Sequence, residues 1–88
     1  MWLTLSIPID DDMKKVLIAL NEANRNSWID NKQLEQKAEL SVENLNNAVE
    51  LLESKCLVKS LQILGTAPYK FKSVKLTASG RSMIKQGL

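Results

Sequence analysis

Apolar residues in the first third of the chain recur with the period of a helix. From residue 13 they occupy positions i, i+3, i+4 and i+7, which form one buried face. These residues are Met13, Val16, Leu17, Leu20 and Ala23. The acidic run Asp10–Asp12 precedes them, and aspartate caps free N–H groups and favours the positive end of a helix. A first helix is therefore predicted from this run, followed by a polar turn over residues 24–27 and an extended pair, Trp28 and Ile29.

Two more helices are predicted in the middle of the chain. Asn31 is expected to cap a second helix that runs to about Glu39. Ser41 is a good cap for a third helix to about residue 55, and Leu40 before it can pack on Leu45 as a hydrophobic staple. The second helix offers Leu34 and Ala38 to the core, and the third offers Leu45, Ala48, Val49, Leu52 and Cys56. The outward side of the third helix carries Glu43, Asn46, Asn47, Glu50 and Ser54.

After Cys56 the period changes from helical to alternating, which indicates strands. The first strand contains Leu57, Lys59, Leu61, Gln62 and Ile63; the second contains Lys70, Phe71, Lys72, Val74, Lys75 and Leu76. Gly65–Pro68 supplies the turn residues between them, so the two strands form a hairpin. Thr77 is expected to cap a last helix that includes Met83 and Ile84.

This order of elements is that of an α+β winged helix-turn-helix, with a three-helix core, a two-stranded β-hairpin wing and a C-terminal helix. The segment Leu57-Val58-Lys59 and the later Leu76-Thr77-Ala78-Ser79-Gly80-Arg81 support it. They resemble the wing and the L-T-x-x-G-R junction of bacterial and archaeal winged-helix regulators, including the MarR-like and PadR-like groups. The resemblance covers roughly residues 10–86. We expect one domain over residues 10–88, preceded by an apolar arm over residues 1–9.

Charge is divided unevenly along the chain. Residues 54–88 hold seven basic residues and no acidic one, so they contribute +7 and the first 53 residues −5 to a total of +2. The basic residues are Lys55, Lys59, Lys70, Lys72, Lys75, Arg81 and Lys85. A positive pole of this kind is a candidate surface for a polyanion.

The resemblance implies binding to double-stranded DNA, with the third helix in the major groove and the wing on the adjacent backbone. The candidate phosphate contacts in the wing and its flank are Lys59, Lys70, Lys72, Lys75 and Arg81. The candidate base contacts on the third helix are Asn44, Asn46 and Asn47, because amides pair with adenine edges. The implied function is that of a transcriptional regulator.

Other interpretations of the same residues remain open. Glu43, Glu50 and Glu53 on the third helix would face phosphates in a DNA complex, so this helix could instead dock a basic protein partner. The hairpin lysines could be a solvated face that keeps an edge strand from pairing with other chains. Trp28 and Cys56 are expected in the core rather than in a site.

The segment before the first helix predicts a second kind of contact. Trp2, Leu3, Leu5 and Ile7 form an apolar arm that either folds back onto the core as a strand or crosses to a second copy. We favour a homodimer with two-fold symmetry, which would match two DNA half-sites. Met83, Ile84 and Leu88 of the last helix are candidates for the same interface.

Enzymatic chemistry is not supported by the composition. The chain has no histidine and one cysteine, so the commonest general base and a thiolate metal cluster are both missing. Its glycines form no phosphate-binding pattern, and capping explains Asp10–Asp12 better than metal binding does. We therefore expect no cofactor and no metal. The longest apolar run is too short to cross a membrane, and the start of the chain does not look like a secretory signal, so a cytoplasmic location is expected.

Overall fold

A computed structural model describes residues 9–23 and 28–87 of the protein. In these residues four helices and three short strands form a mixed α+β fold. In chain order they are α1 (Asp11–Ala23), β1 (Ile29–Asp30), α2 (Asn31–Ala38), α3 (Val42–Ser54), β2 (Val58–Leu61), β3 (Ser73–Leu76) and α4 (Ala78–Lys85). The hydrophobic pattern of the sequence predicted this class and this order.

Three of the four helices begin at the caps that the sequence predicted. The side chains of Asp10, Ser41 and Thr77 accept hydrogen bonds from the backbone N–H three residues on, at 2.8, 3.2 and 3.1 Å. Such a bond satisfies one of the N–H groups that the first turn of a helix leaves without a partner. The starts of α1, α3 and α4 are therefore fixed by local sequence.

The start of α2 differs from the prediction. Asp30, not Asn31, is its cap: the Asp30 carboxylate accepts from the N–H of Lys32 at 3.2 Å. Asn31 is the first helical residue, and its buried amide donates to the carbonyl of Phe71 at 3.0 Å. The helix ends at Ala38, close to the predicted end. Sequence alone could not choose between adjacent capping residues, because the choice depends on a carbonyl 40 residues away.

The three strands form one antiparallel sheet in the order β1-β3-β2. Val74 of β3 lies between Ile29 of β1 and Ser60 of β2, and Leu76 lies opposite Val58. The apolar members of these pairs are buried, so this face of the sheet is the core face. Alternate residues point the other way, and Lys59 lies opposite Lys75 on the outer face.

The core is formed by the apolar faces of the helices and the inner face of the sheet. Phe71 and Leu76 of the hairpin join the leucines of α1, α2 and α3, and Ala23 is only partly buried. The buried apolar residues are Met13, Val16, Leu17, Ala19, Leu20, Ile29, Leu34, Ala38, Leu40, Leu45, Ala48, Val49, Leu52, Leu57, Val58, Phe71, Val74 and Leu76. This set confirms the predicted apolar faces of the first three helices, with the exceptions of Ala23 and Cys56.

Four side chains that the sequence assigned to apolar positions are exposed. Cys56 follows the C-cap of α3 and adopts a left-handed backbone with φ of 62°, so its side chain leaves the helical pattern and is exposed. Trp28 is 45% exposed beside β1 rather than in the core. Leu61 and Ile63 are also exposed, because Leu61 lies opposite Ser73 on the outer face and Ile63 follows it into the loop.

Several predictions concern residues outside the described ranges. They include the apolar arm with Trp2, Leu3, Leu5 and Ile7, the polar turn over residues 24–27, and Leu88. Ile9, the first described residue, is partly buried against the core. None of the helices in residues 9–23 and 28–87 is both long and apolar enough to cross a membrane.

Candidate nucleic-acid interface

Asn46 of α3 holds the hairpin beside this helix; by hairpin we mean β2, β3 and the loop of residues 62–72 between them. The Asn46 amide donates to the carbonyl of Pro68 and accepts from the N–H of Lys70, both at 3.0 Å. The side chain is only 8% exposed. Asn46 is therefore not on the outward face where the sequence placed it as a candidate base contact. It is a positioning residue that uses both ends of its amide on the hairpin backbone.

A second pair joins α3 to the first strand of the hairpin. The Glu53 carboxylate accepts from the hydroxyl of Ser60 at 2.9 Å and from its N–H at 3.3 Å. The sequence had placed Glu53 with Glu43 and Glu50 on the outward face of the helix. Since Glu53 is directed at β2, two glutamates of that group remain exposed on α3.

The loop is also fastened to α2. The Tyr69 hydroxyl donates to the carboxylate of Glu35, and the Tyr69 ring meets Phe71 edge to face, with 6.2 Å between ring centroids. The bond to Glu35, helped by desolvation, raises the pKa of Tyr69. The Thr66 hydroxyl donates to the carbonyl of Tyr69 at 3.0 Å. Sequence reasoning missed this set of contacts, since no local signal relates Glu35 to a residue 34 positions later.

The exposed face of α3 carries amides, acids and one apolar side chain. Asn44 and Asn47, two of the three predicted base contacts, are exposed there together with Glu43 and Glu50. Leu51, one turn further on, is 44% exposed. Amides can donate and accept at a base edge, and a carboxylate can accept from a cytosine amine. This face therefore has the groups needed to distinguish bases.

The structure separates four of the five predicted cationic residues into three places. Lys70 is exposed and lines a shallow cleft between α3 and the hairpin with Asn46, Glu50 and Gln62. Arg81 is partly buried in α4, with its guanidinium 3.5 Å from the carbonyl of Leu76. Lys59 and Lys75 lie opposite each other on the outer face of the sheet. Lys70 is thus the candidate phosphate contact that the structure brings next to α3.

Lys72 is occupied by an ion pair. Its ammonium nitrogen is 3.0 Å from the carboxylate of Asp30, the residue that caps α2. The hydrogen bond from Lys72 lowers the pKa of Asp30 below the ordinary value of 3.8. Both side chains are nearly half exposed, so the pair is screened by solvent and Lys72 can still exchange partners.

Contacts of Thr77 and Gly80 explain why these two residues occur in the L-T-x-x-G-R junction. The Thr77 hydroxyl donates to the carbonyl of Cys56 at 2.7 Å and accepts from the N–H of Gly80. A Cβ atom on Gly80 would lie 2.1 Å from the carbonyl oxygen of Leu57, which no side chain can tolerate without movement. The motif therefore packs the start of α4 directly on the chain that enters β2.

Two further groups of candidates can be placed. Met83 and Ile84 of α4, named as candidate dimer contacts, are half-buried and pack against the core of the same chain. In the described part of the chain no three residues among Cys, Asp and Glu come together as metal ligands would.

The fold is thus an α+β arrangement of four helices with a three-stranded antiparallel sheet. It is similar to the crystal structure of a putative DNA-binding protein from Ralstonia eutropha JMP134, with a TM-score of 0.76 and 21% sequence identity. The similarity covers 90% of this chain and 96% of that chain. At this level of identity it establishes a shared fold. No family model matches the chain, and no curated protein matches its sequence.

Proposed function

We propose that the protein is a winged-helix protein that binds double-stranded DNA, with α3 in the major groove and the hairpin as its wing. The observation that carries this proposal is the pair of hydrogen bonds from Asn46 to the hairpin loop. They hold Lys70 beside the exposed face of α3, so that a cation for the backbone and amides for the bases lie at adjacent positions. This is the arrangement that groove reading with a flanking phosphate contact requires.

The charge of the interface supports a modest affinity. Lys70 and Lys72 are the cations of the hairpin loop, whereas Glu43 and Glu50 on α3 would repel phosphates. Each phosphate that a lysine neutralises adds about 0.9 to the slope of log affinity against log salt. We expect a slope of about 1.8 at most from these two lysines, smaller than that of a strongly basic DNA-binding protein.

The neighbour from Ralstonia eutropha supports the same class of function, because it is described as a putative DNA-binding protein and shares this fold. We infer that the present protein is a transcriptional regulator of the MarR-like or PadR-like kind, acts as a homodimer in the cytoplasm, and has no catalytic activity. Two copies related by a two-fold axis would present two α3 helices to two half-sites.

A titration of labelled protein with a mixed-sequence duplex, followed by NMR at about 50 and 200 mM salt, tests this proposal. We expect shifts at the Lys70 amide, the Asn47 side-chain amide and the α3 backbone that weaken as salt rises. The amide of Lys85, at the far end of α4, serves as the internal control. If the spectrum at low salt is unchanged by duplex, the protein does not bind double-stranded DNA.

One observation favours a second candidate function, the docking of a basic protein partner. Glu43 and Glu50 are both exposed on α3 and give this helix an acidic surface. The double substitution Glu43→Lys with Glu50→Lys separates the two functions. It should strengthen duplex binding if α3 enters DNA, and abolish capture of a basic partner if α3 is a protein-docking surface. A loss of duplex affinity would instead mean that these carboxylates accept hydrogen bonds from bases.

A further inference from the structure

The outer face of the sheet carries an exposed aromatic ring with two lysines. Trp28 precedes β1 and is 45% exposed, a large fraction for an indole in a small domain. The ammonium nitrogen of Lys75 lies 5.7 Å from the centroid of the Trp28 ring, within the range of a cation–π contact. Lys59 lies directly across from Lys75 on the neighbouring strand. These three side chains, Trp28, Lys59 and Lys75, form what we call the outer-face cluster.

The charges of the outer-face cluster are not balanced by acids. Among residues 9–23 and 28–87, Lys72 forms an ion pair with Asp30. Neither Lys59 nor Lys75 forms an ion pair with any residue in these ranges. Like charges directly opposite on adjacent strands destabilise a sheet. Directly opposite residues are about 5 Å apart at Cβ, so both ammonium groups can reach one anion. An anionic group between them would relieve the repulsion and gain two charge-assisted hydrogen bonds.

We propose that the outer-face cluster binds single-stranded nucleic acid. An unpaired base stacks on the exposed part of the Trp28 ring, and a neighbouring phosphate lies between Lys59 and Lys75. Aromatic rings that flank a positive surface are the usual means of holding single strands, because every base has a π-face. The π-faces of a duplex are covered by neighbouring base pairs, so this site differs in ligand from the α3 interface and does not depend on it.

Charge also argues against a second copy of the chain as the occupant of this face. In a two-fold interface a patch meets the same patch, so Lys59 and Lys75 of one copy would approach the same lysines of the other. That approach would add charge repulsion between the two copies to the repulsion that already exists between Lys59 and Lys75 within each copy. A polyanion that exposes aromatic bases satisfies both the charge and the ring.

Fluorescence of Trp28 gives a direct test. A Trp2→Phe background leaves Trp28 as the one tryptophan, since the sequence has two. Titration with ten-residue oligothymidylate and oligouridylate should quench this fluorescence, and the order of the two affinities shows whether DNA or RNA is preferred. The same sequence within a duplex should not quench it. Trp28→Leu should lower affinity for the single strand by about 5- to 150-fold. Fluorescence anisotropy of a labelled oligonucleotide measures this affinity.

The lysines are tested by a matched pair of double variants. Lys59→Gln with Lys75→Gln should reduce the salt slope for single strands by about 0.7, because the two lysines together hold one phosphate. The control is Lys37→Gln with Lys85→Gln, which removes the same charge from exposed positions on α2 and α4 and should leave the slope unchanged. Circular dichroism on each variant confirms that it is folded before affinities are compared.

Two results would overturn the inference. One is quenching of Trp28 by polyglutamate at the same charge concentration, which would show that the face responds to any polyanion. The other is unchanged oligonucleotide affinity in folded Trp28→Leu. Neither result would affect shifts on α3 in the duplex titration, so failure of this site and failure of the proposed duplex function are distinguishable.

Discussion

Asn46 shows how one residue can decide the geometry of an interface without touching the ligand. Its amide uses both ends, donating to the carbonyl of Pro68 and accepting from the N–H of Lys70. Both bonds are partly buried, and a backbone group that loses its partner costs up to about 1–3 kcal/mol. The position of the hairpin relative to α3 therefore depends in part on this side chain.

We predict that Asn46→Ala lowers the free energy of unfolding by about 1–3 kcal/mol and weakens duplex binding, because the hairpin is released from α3. Chemical denaturation and anisotropy measure the two effects. Asn47→Ala is the matched control: it removes the same amide from an exposed position, so stability should change by less than about 0.5 kcal/mol. Equal stability of the two variants would show that the hairpin is held by other contacts.

Gly80 is a second residue whose identity is explained by a single close contact. We predict that Gly80→Ala destabilises the protein by about 1–3 kcal/mol, since the new methyl group would lie 2.1 Å from the carbonyl oxygen of Leu57. The intrinsic preference of alanine for helices acts in the opposite direction and is smaller. Thermal unfolding measures the change. Ser79→Ala, an exposed neighbour in α4, should have almost no effect, and a comparable loss there would place the cause in the helix itself.

At the scale of elements, the Asp30–Lys72 pair joins the start of α2 to the end of the hairpin loop. Because the hydrogen bond from Lys72 lowers the pKa of Asp30, the carboxylate is stabilising at pH above its ordinary value of 3.8. This contribution is lost as pH falls through the still lower pKa of the folded state. We predict that Lys72→Gln raises the pKa of Asp30 toward 3.8. An NMR titration of the Asp30 carboxyl carbon measures this change. An unchanged pKa would assign the shift to helix capping alone.

The hairpin lysines should contribute unequally to duplex binding. Lys70 lies beside α3 and makes no ion pair among the described residues, whereas Lys72 is paired with Asp30. We predict that Lys70→Gln reduces the salt slope by about 0.9 and that Lys72→Gln reduces it by less. Anisotropy over a range of salt concentrations gives both slopes. A larger effect from Lys72 would mean that the ion pair opens when DNA binds.

The elements were predictable from sequence, but the contacts between them were only partly so. Helical and alternating patterns gave α1, α3 and the hairpin, because each depends on residues near in sequence. Asn46, Glu53 and Trp28 were assigned wrongly, since period alone cannot show that a polar residue meets the backbone of another element or that an aromatic residue lies on an outer face. The sequence placed the lysines correctly on the hairpin. It did not show which lysine forms an ion pair or which face of the sheet each lysine occupies, because both depend on strand register.

For the whole molecule, the sequence predicts a dimer through residues 1–9, a segment almost wholly outside the described ranges. We predict that Leu3→Glu with Leu5→Glu converts a dimer to a monomer, because charges would replace its apolar contacts. Thr4→Glu with Ser6→Glu is the control, since it adds the same charge at the alternating positions. Sedimentation velocity over a range of concentrations measures both. A wild-type protein that stays monomeric throughout would exclude this dimer.

The hydrogen bonds between Glu53 and Ser60 have a consequence for behaviour at high concentration. β2 is an edge strand, and the free N–H groups of such a strand can pair with a strand from another molecule. Glu53 occupies the N–H of Ser60 and places a negative charge where the carbonyl of an incoming strand would have to approach. The same side chain that fastens α3 to the hairpin therefore protects the sheet against strand addition, the first step toward aggregates.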